Sequence, residues 1–231
     1  DYEQVAVVAN LRMSDGHDAT AWQRFMPTGP LAVLPLPGDF ASIVWSTTPA
    51  AALELLALEA DAFNYAVTEA FGFRCGEVVW SGARASFPLT RVEARNYVTQ
   101  RVALVGDSAH TIHPLAGQGL NLGMLDAAVL AEVAGAAHGS ARDVGSRAVL
   151  RRYERWRKAH NLATQSTMDA LRWLFGPRPA PLRWLRSAGM HIAESATPVK
   201  LRLARLACGL EGDLPASARP TLDGQPLSKL S

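Results

Sequence analysis

Asp107 and its neighbours hold the pattern in this chain best suited to chemistry: Gly106-Asp107-Ser108-Ala109-His110, then His113-Pro114-Leu115-Ala116-Gly117-Gln118-Gly119-Leu120-Asn121-Leu122-Gly123. An Asp at the end of an apolar run can accept hydrogen bonds from a hydroxylated ligand such as a ribose or ribityl chain. The Gly-rich loop and the helix start after it offer backbone N–H groups and partial positive charge to an anionic group. A Gly-Asp pair can also be only a turn former after a strand. A plain Gly-rich connection does not explain why Gly117, Gly119 and Gly123 crowd one helix start. His110 and His113 stand at the H-x-x-H spacing of a metal pair. No third ligand with suitable spacing accompanies them, so no metal is assigned. His110 is read as a hydrogen-bonding brace for the loop. No side chain stands out as an acid or base, and the catalytic residues stay unassigned.

Several elements must position this pattern. Val102 to Val105 is β-branched and apolar and reads as a buried strand, which Gly106-Asp107 ends. From Leu120 an Ala/Leu helix runs to about residue 137. A hairpin is expected just before, with Val92–Ala94 pairing with Val98–Val105. Towards the N-terminus, residues 2–12, 21–26, 31–36 and 40–46 read as strands separated by Pro/Gly signals. Residues 50–71 read as helix with a break near Ala60, and 77–80 and 85–90 as two further strands. Beyond the motif, Ser146 is a plausible N-cap for a helix to Phe175, with Val149, Tyr153, Trp156, Ala163, Thr167, Leu171 and Leu174 on its apolar face. Gly176-Pro177 stops it, shorter helices follow at 181–194 and 198–209, and the Pro/Ser/Gly-rich tail from 215 to 231 reads as loose. The fold class is α+β / α/β, with a mostly antiparallel sheet in residues 1–90, a second segment at 91–145 and a helical region at 146–214.

The run from Gly106 to Gly123 resembles the second FAD-binding motif of the flavin-dependent aromatic hydroxylases, the para-hydroxybenzoate-hydroxylase-like monooxygenases. Within that group it is most similar to the ubiquinone-biosynthesis hydroxylases. Two further stretches carry the likeness: Gln23-Arg-Phe-Met-Pro-Thr-Gly-Pro-Leu-Ala-Val-Leu-Pro-Leu-Pro37 and Arg151-Arg-Tyr-Glu-Arg-Trp-Arg-Lys158. The resemblance implies a Rossmann-like FAD domain in 91–145, and a substrate-domain sheet in 1–90 that covers the flavin ring. It implies that the Asp107 carboxylate receives a ribityl hydroxyl of FAD, with Gly106 also in the cofactor site. Gly117, Gln118, Gly119, Leu120 and Asn121 would put N–H groups near the pyrimidine edge of the flavin, where reduced flavin carries negative charge that a helix N-terminus stabilises. Pro114 would lie beside both flavin and substrate ring. Phe25, Leu34, Leu36, Val44 and Trp45 would line an apolar pocket for a lipid-tailed phenol, with Arg24 orienting its phenolate. Singly, each of these apolar residues reads as well as ordinary sheet core. The G-x-G-x-x-G turn that holds the FAD pyrophosphate in this family does not occur in the sequence. We therefore expect the C-terminal part of a longer flavoprotein, one that by itself holds no FAD.

The implied activity is hydroxylation of a polyprenylated phenol or quinol ring in ubiquinone biosynthesis, using FAD, NAD(P)H and O2. Two other readings stand beside it: a non-catalytic substrate- or partner-binding module of a quinone-biosynthesis assembly, and a hydroxylase of a soluble aromatic with a charged clamp in its pocket. With 231 residues, 48% hydrophobic and 19% charged, the chain is long enough for one large or two small domains with a real core. A formal net charge of +2 gives no reason to expect nucleic acid. Cys75 and Cys208 show no pairing pattern, which suits a reduced cytoplasmic setting. No window holds 18 uninterrupted apolar residues, so no membrane span is expected. From Arg172 to Arg205 seven basic residues face the single acidic Glu194. That surface suits anionic lipid, placing the chain peripherally on the inner face of the cytoplasmic membrane, or an acidic quinone-biosynthesis partner. It reads equally as a solvated helix face. Self-association through exposed apolar surface is a further expectation.

Overall fold

The structure is a computed structural model that describes residues 4–111, 117–175 and 213–219, with isolated positions between 179 and 201. The expected helices at 181–194 and 198–209, with the basic stripe they carry, fall largely outside the described residues. The chain divides into two compact units, residues 1–91 with 172–178 and residues 92–171 with 179–231.

The first unit is a five-stranded antiparallel sheet in the order β2-β3-β4-β1-β5. Its strands are β1 (Gln4–Met13), β2 (Trp22–Met26), β3 (Gly29–Pro35), β4 (Phe40–Thr47) and β5 (Val78–Leu89). The two short strands expected at 77–80 and 85–90 are one. A register slip opposite Ala9 and Leu11 takes up the extra residues as a bulge without ending the strand. Alternation sets two faces. Val7, Leu11, Leu31, Val33 and Ile43 are buried on one of them, against α1 (Pro49–Ala57) and α2 (Ala60–Phe71). Thr48 caps α1, its side chain accepting from the Ala51 amide, and Pro49 takes the first helical position. Gly72 closes α2 in the left-handed conformation, and its N–H bonds the carbonyls of Thr68 and Glu69. Two side chains tie helices to sheet. The Thr68 hydroxyl accepts from the Val78 amide, and Arg84 of β5 donates to the carbonyls of Leu55 and Leu58 at 3.1 and 2.6 Å. The opposite face leaves Leu34, Phe40 and Trp80 exposed.

The second unit contains α3 (Gln118–Gly139) and α4 (Arg147–Phe175) as far as Leu171, with two small ladders. Here the strand pairing departs from the sequence reading. β7 (Val98–Thr99) pairs with β8 (Val102–Ala103) in a tight hairpin, while β6 (Val92–Glu93) pairs with β9 (His110–Thr111). The buried strand expected at Val102–Val105 is thus two residues of ladder, with Val102 exposed. Local propensity marked the strand formers, but partner choice was a long-range decision. Tyr97, Val129, Val133, Val149 and Tyr153 form the core of this unit. The Tyr153 hydroxyl donates to the Leu104 carbonyl at 2.7 Å, and the Tyr97 amide to Glu154 at 2.7 Å.

The buried stripe of α4 also differs from expectation. It runs through Val149, Tyr153, Arg157, Asn161 and Gln165, while Ala163 and Thr167 are exposed. Among the described residues α3 is the one helix long and apolar enough to cross a membrane by length and composition. It carries the fully buried Asp126 two turns from its start, paired to α4, and Val129 and Val133 pack in the core, so we read it as a core helix. Of the tail expected to be loose, residues 215–219 are held in place and 220–231 lie outside the described residues. The Trp156 indole donates to the Asp213 carbonyl, the Ala216 amide donates to Glu132, and Leu214 is buried.

Candidate functional site

Asp107 sits on a 3-10 turn, Gly106–Ser108, that follows β8. The Ser108 hydroxyl donates to the Val105 carbonyl and accepts its amide, closing the turn on itself. Gly106 has φ +61, a conformation glycine adopts without the strain a side chain brings. It also lies close to α3. A Cβ built on Gly106 would come 3.5 Å from the Gly123 Cα, and one built on Gly123 would come 3.4 Å from the Gly106 Cα. A Cβ at either position would make only ordinary contact, so the left-handed φ of Gly106 rather than crowding is what favours glycine there. A Cβ built on Gly119 would come 4.0 Å from Oδ1 of Asp107. The carboxylate therefore stands beside the helix start, exposed, with no hydrogen bond to another described residue.

α3 begins behind Gly117, which is left-handed (φ +62) and gives the helix no side-chain cap. Among the described residues no capping side chain takes its opening N–H groups, and Leu120 beside them is 74% exposed. An uncommitted carboxylate next to uncapped helix donors fits a ligand with hydroxyls on one part and acceptor atoms on another. The ribityl chain and pyrimidine edge of a flavin have that character. Gly106, Asp107, Gly117, Gln118, Gly119, Leu120 and Asn121 are brought together here by the structure. Pro114 and His113 fall outside the described residues.

A buried polar node underlies the turn. Asp126 on α3 accepts from the Gly106 amide at 3.0 Å, His110 Nε2 at 2.6 Å, Arg157 Nε at 2.6 Å and Asn161 Nδ2 at 3.4 Å. An ionised carboxylate only accepts, so Nε2 of His110 carries a proton. Burial works against the charge of Asp126. The bonds from His110, Arg157 and the Gly106 amide together outweigh it and hold the carboxyl below its usual range. His110 thus has the bracing bond expected of it. The node itself was not foreseen. Its signal was available: Asp126 is a charge in an Ala/Leu helix, and Arg157, Asn161 and Gln165 continue the i, i+4 line of Val149 and Tyr153.

The expected substrate residues do not share one wall. Cross-strand partners face the same side of a sheet. Phe25 pairs with Pro30 and Leu34 with Ser42, both on the open face. Arg24 pairs with Leu31, and Leu31 with Trp45, on the helix-covered face. There the Arg24 guanidinium donates to the Ala70 carbonyl at 2.9 Å, and Trp45 packs on the core. Leu36 lies just past β3, half-buried, its carbonyl 3.0 Å from Nε2 of His17.

The FAD binding domain family matches residues 4–168. The chain belongs to this family. It is 36% identical to the ubiquinone biosynthesis monooxygenase COQ6, mitochondrial, of Xenopus tropicalis, over 90% of this chain and 52% of that protein. It is 40% identical to the ubiquinone hydroxylase UbiL of Rhodospirillum rubrum, over 90% of this chain and 48% of that protein. The chain thus spans about half the length of the curated relatives it matches. Among solved structures, p-nitrophenol 4-monooxygenase PnpA of Pseudomonas putida superposes with a TM-score of 0.66 at 20% identity, covering 89% of this chain and 52% of that one. That likeness places the antiparallel sheet and helices in the fold of the flavin monooxygenases.

Proposed function

We propose that the full-length protein containing this chain is an FAD-dependent monooxygenase that hydroxylates the aromatic ring of a polyprenylated phenol or quinol in ubiquinone biosynthesis, with NAD(P)H as reductant. The observation that carries this reading is the Asp107 carboxylate, unpartnered among the described residues, beside the start of α3. The identity to COQ6 and UbiL supports the substrate class.

Bound FAD, with electrons from NAD(P)H, would supply the chemistry that activates O2 for transfer to the ring. The residues of this chain bind and orient. Asp107 would accept from the ribityl hydroxyls, and hydrogen bonds to a charged acceptor contribute about 1.5–3 kcal/mol each. The N–H groups at Gly119, Leu120 and Asn121 would face the acceptor atoms of the pyrimidine edge, where the helix terminus favours negative charge. Phe25 and Leu34, exposed on the open sheet face, offer apolar surface to a lipid-tailed ring and keep water from it. Peripheral contact with an anionic membrane, other quinone-biosynthesis partners and a cytoplasmic location complete the reading. The 231-residue chain alone is expected to retain no stoichiometric FAD, since it has no G-x-G-x-x-G turn.

The test is complementation. A strain lacking the full-length gene should accumulate a ring-unhydroxylated prenylated intermediate, and the wild-type gene should clear it. A normal quinone profile in the deletion strain would refute the assignment.

A further inference from the structure

Asp126 joins three pieces of the second unit at one carboxylate. Oδ2 takes the Gly106 amide and Nε2 of His110, and Oδ1 takes Nε of Arg157. Arg157 in turn donates from Nη2 to Asn161 at 2.8 Å. Both charged side chains are fully buried. Such a pair is a poor way to gain stability, because desolvation of two ions consumes most of their attraction, and an apolar pair of similar volume often does as well. The node also leaves Nδ1 of His110 and Nη1 of Arg157 buried without a partner among the described residues, a further expense. What an apolar pair would not provide is direction. A charged acceptor at this point fixes the Gly106 N–H and the His110 ring at once, at the two ends of the segment that presents Asp107.

We infer that Asp126, held by Arg157, is a positioning residue for the flavin-binding turn: it sets the place of Asp107 relative to the start of α3 and touches no ligand itself. The inference rests on the FAD reading above. Asp126 acts through the backbone of Gly106, so removing its charge together with that of Arg157 should alter how flavin is held more than whether the unit folds.

The experiment uses the full-length protein and four variants. Asp126→Asn combined with Arg157→Gln removes both charges together and leaves no orphaned ion. Asp126→Glu keeps the charge and the pair but moves the carboxylate outward by one methylene. Arg157→Lys keeps the cation, and Asp107→Ala reports on the FAD site itself. FAD dissociation constants are measured beside the visible circular dichroism of the bound flavin and the melting of the apoprotein. The double variant and Asp126→Glu should weaken FAD about tenfold, the scale of one charge-assisted hydrogen bond. Both should change the dichroism of the flavin they still bind while the apoprotein melts cooperatively, and Arg157→Lys should stay nearer wild type. If Asp107→Ala loses FAD while folded Asp126→Glu and the double variant keep wild-type affinity and dichroism, the positioning role is overturned and the FAD site stands. If Asp107→Ala also keeps full affinity, the FAD reading falls and the inference with it. Should the double variant not fold, Asp126→Glu decides by the same two readouts.

Discussion

Oδ1 of Asp126 lies 2.6 Å from Nε of Arg157, with both side chains fully buried between the two long helices. Removing one member leaves the other as an uncompensated buried charge. Asp126→Ala should therefore destabilise the protein by on the order of 3–5 kcal/mol, and the paired change to Asn and Gln by clearly less. Urea unfolding of the three proteins checks this. Equal losses would show that the two charges are not coupled.

Stability should fall with acid in two windows. The folded pKa of His160 is depressed, first by burial and then by the charge of Arg157. The unfolded chain therefore takes up that proton first, and stability declines as pH drops below about 6.5. The folded carboxyl of Asp126 is also depressed, so its contribution is complete above about pH 4 and is lost only as pH falls through the lower folded value. His160→Gln should flatten the upper window and Asp126→Asn the lower one. Melting curves across pH resolve the two, and a single unchanged slope in both variants would contradict the assignment.

Asp107→Ala should weaken FAD binding while leaving thermal stability near wild type, because the exposed carboxylate bonds no other described side chain. The loss should be about 1.5–3 kcal/mol of binding energy, the range for hydrogen bonds to a charged group. Equilibrium FAD titration with a parallel melting scan gives both numbers. A large drop in melting temperature with it would instead make Asp107 a structural turn residue.

Arg84→Met should cost about 1–3 kcal/mol of stability without affecting FAD affinity. The guanidinium supplies donors to the Leu55 and Leu58 carbonyls and stands 4.8 Å over the Phe63 ring, and charge-assisted bonds of this kind carry that weight. Denaturant unfolding is the check, with FAD titration as the control.

Leu34→Asp should raise the KM for a prenylated substrate and leave the melting temperature nearly unchanged, since Leu34 is 41% exposed on the open sheet face. Trp45→Asp should instead destabilise the first unit, because that ring packs on the core. Steady-state kinetics beside melting separates the two positions. A KM unaffected by Leu34→Asp would remove the open face from the substrate site.

Local chemistry was legible in the sequence because it depends on residues close in the chain. The Gly106-Asp107 turn, the Gly-rich entry to α3, the break between α1 and α2 near Ala60 and the long α4 all follow from turn formers, caps and period. Four of the five strands of the first sheet begin and end close to their expected limits for the same reason. Three matters were settled only by tertiary structure. Strand partners came first: β6 paired with β9 rather than with the nearer Val98–Val105 segment, since pairing follows packing across the unit and not propensity. Next was the sheet face. The registers of β2 on β3 and of β3 on β4 put Arg24 and Trp45 against the helices while leaving Phe25 and Leu34 open, and a one-residue difference in position reverses a side chain. Last was the polar node. Asp126 and Arg157 stand far apart in sequence, and each alone reads as an exposed charge on a helix. A buried charge is tolerable only when its partner arrives, and packing α3 on α4 brings the two together.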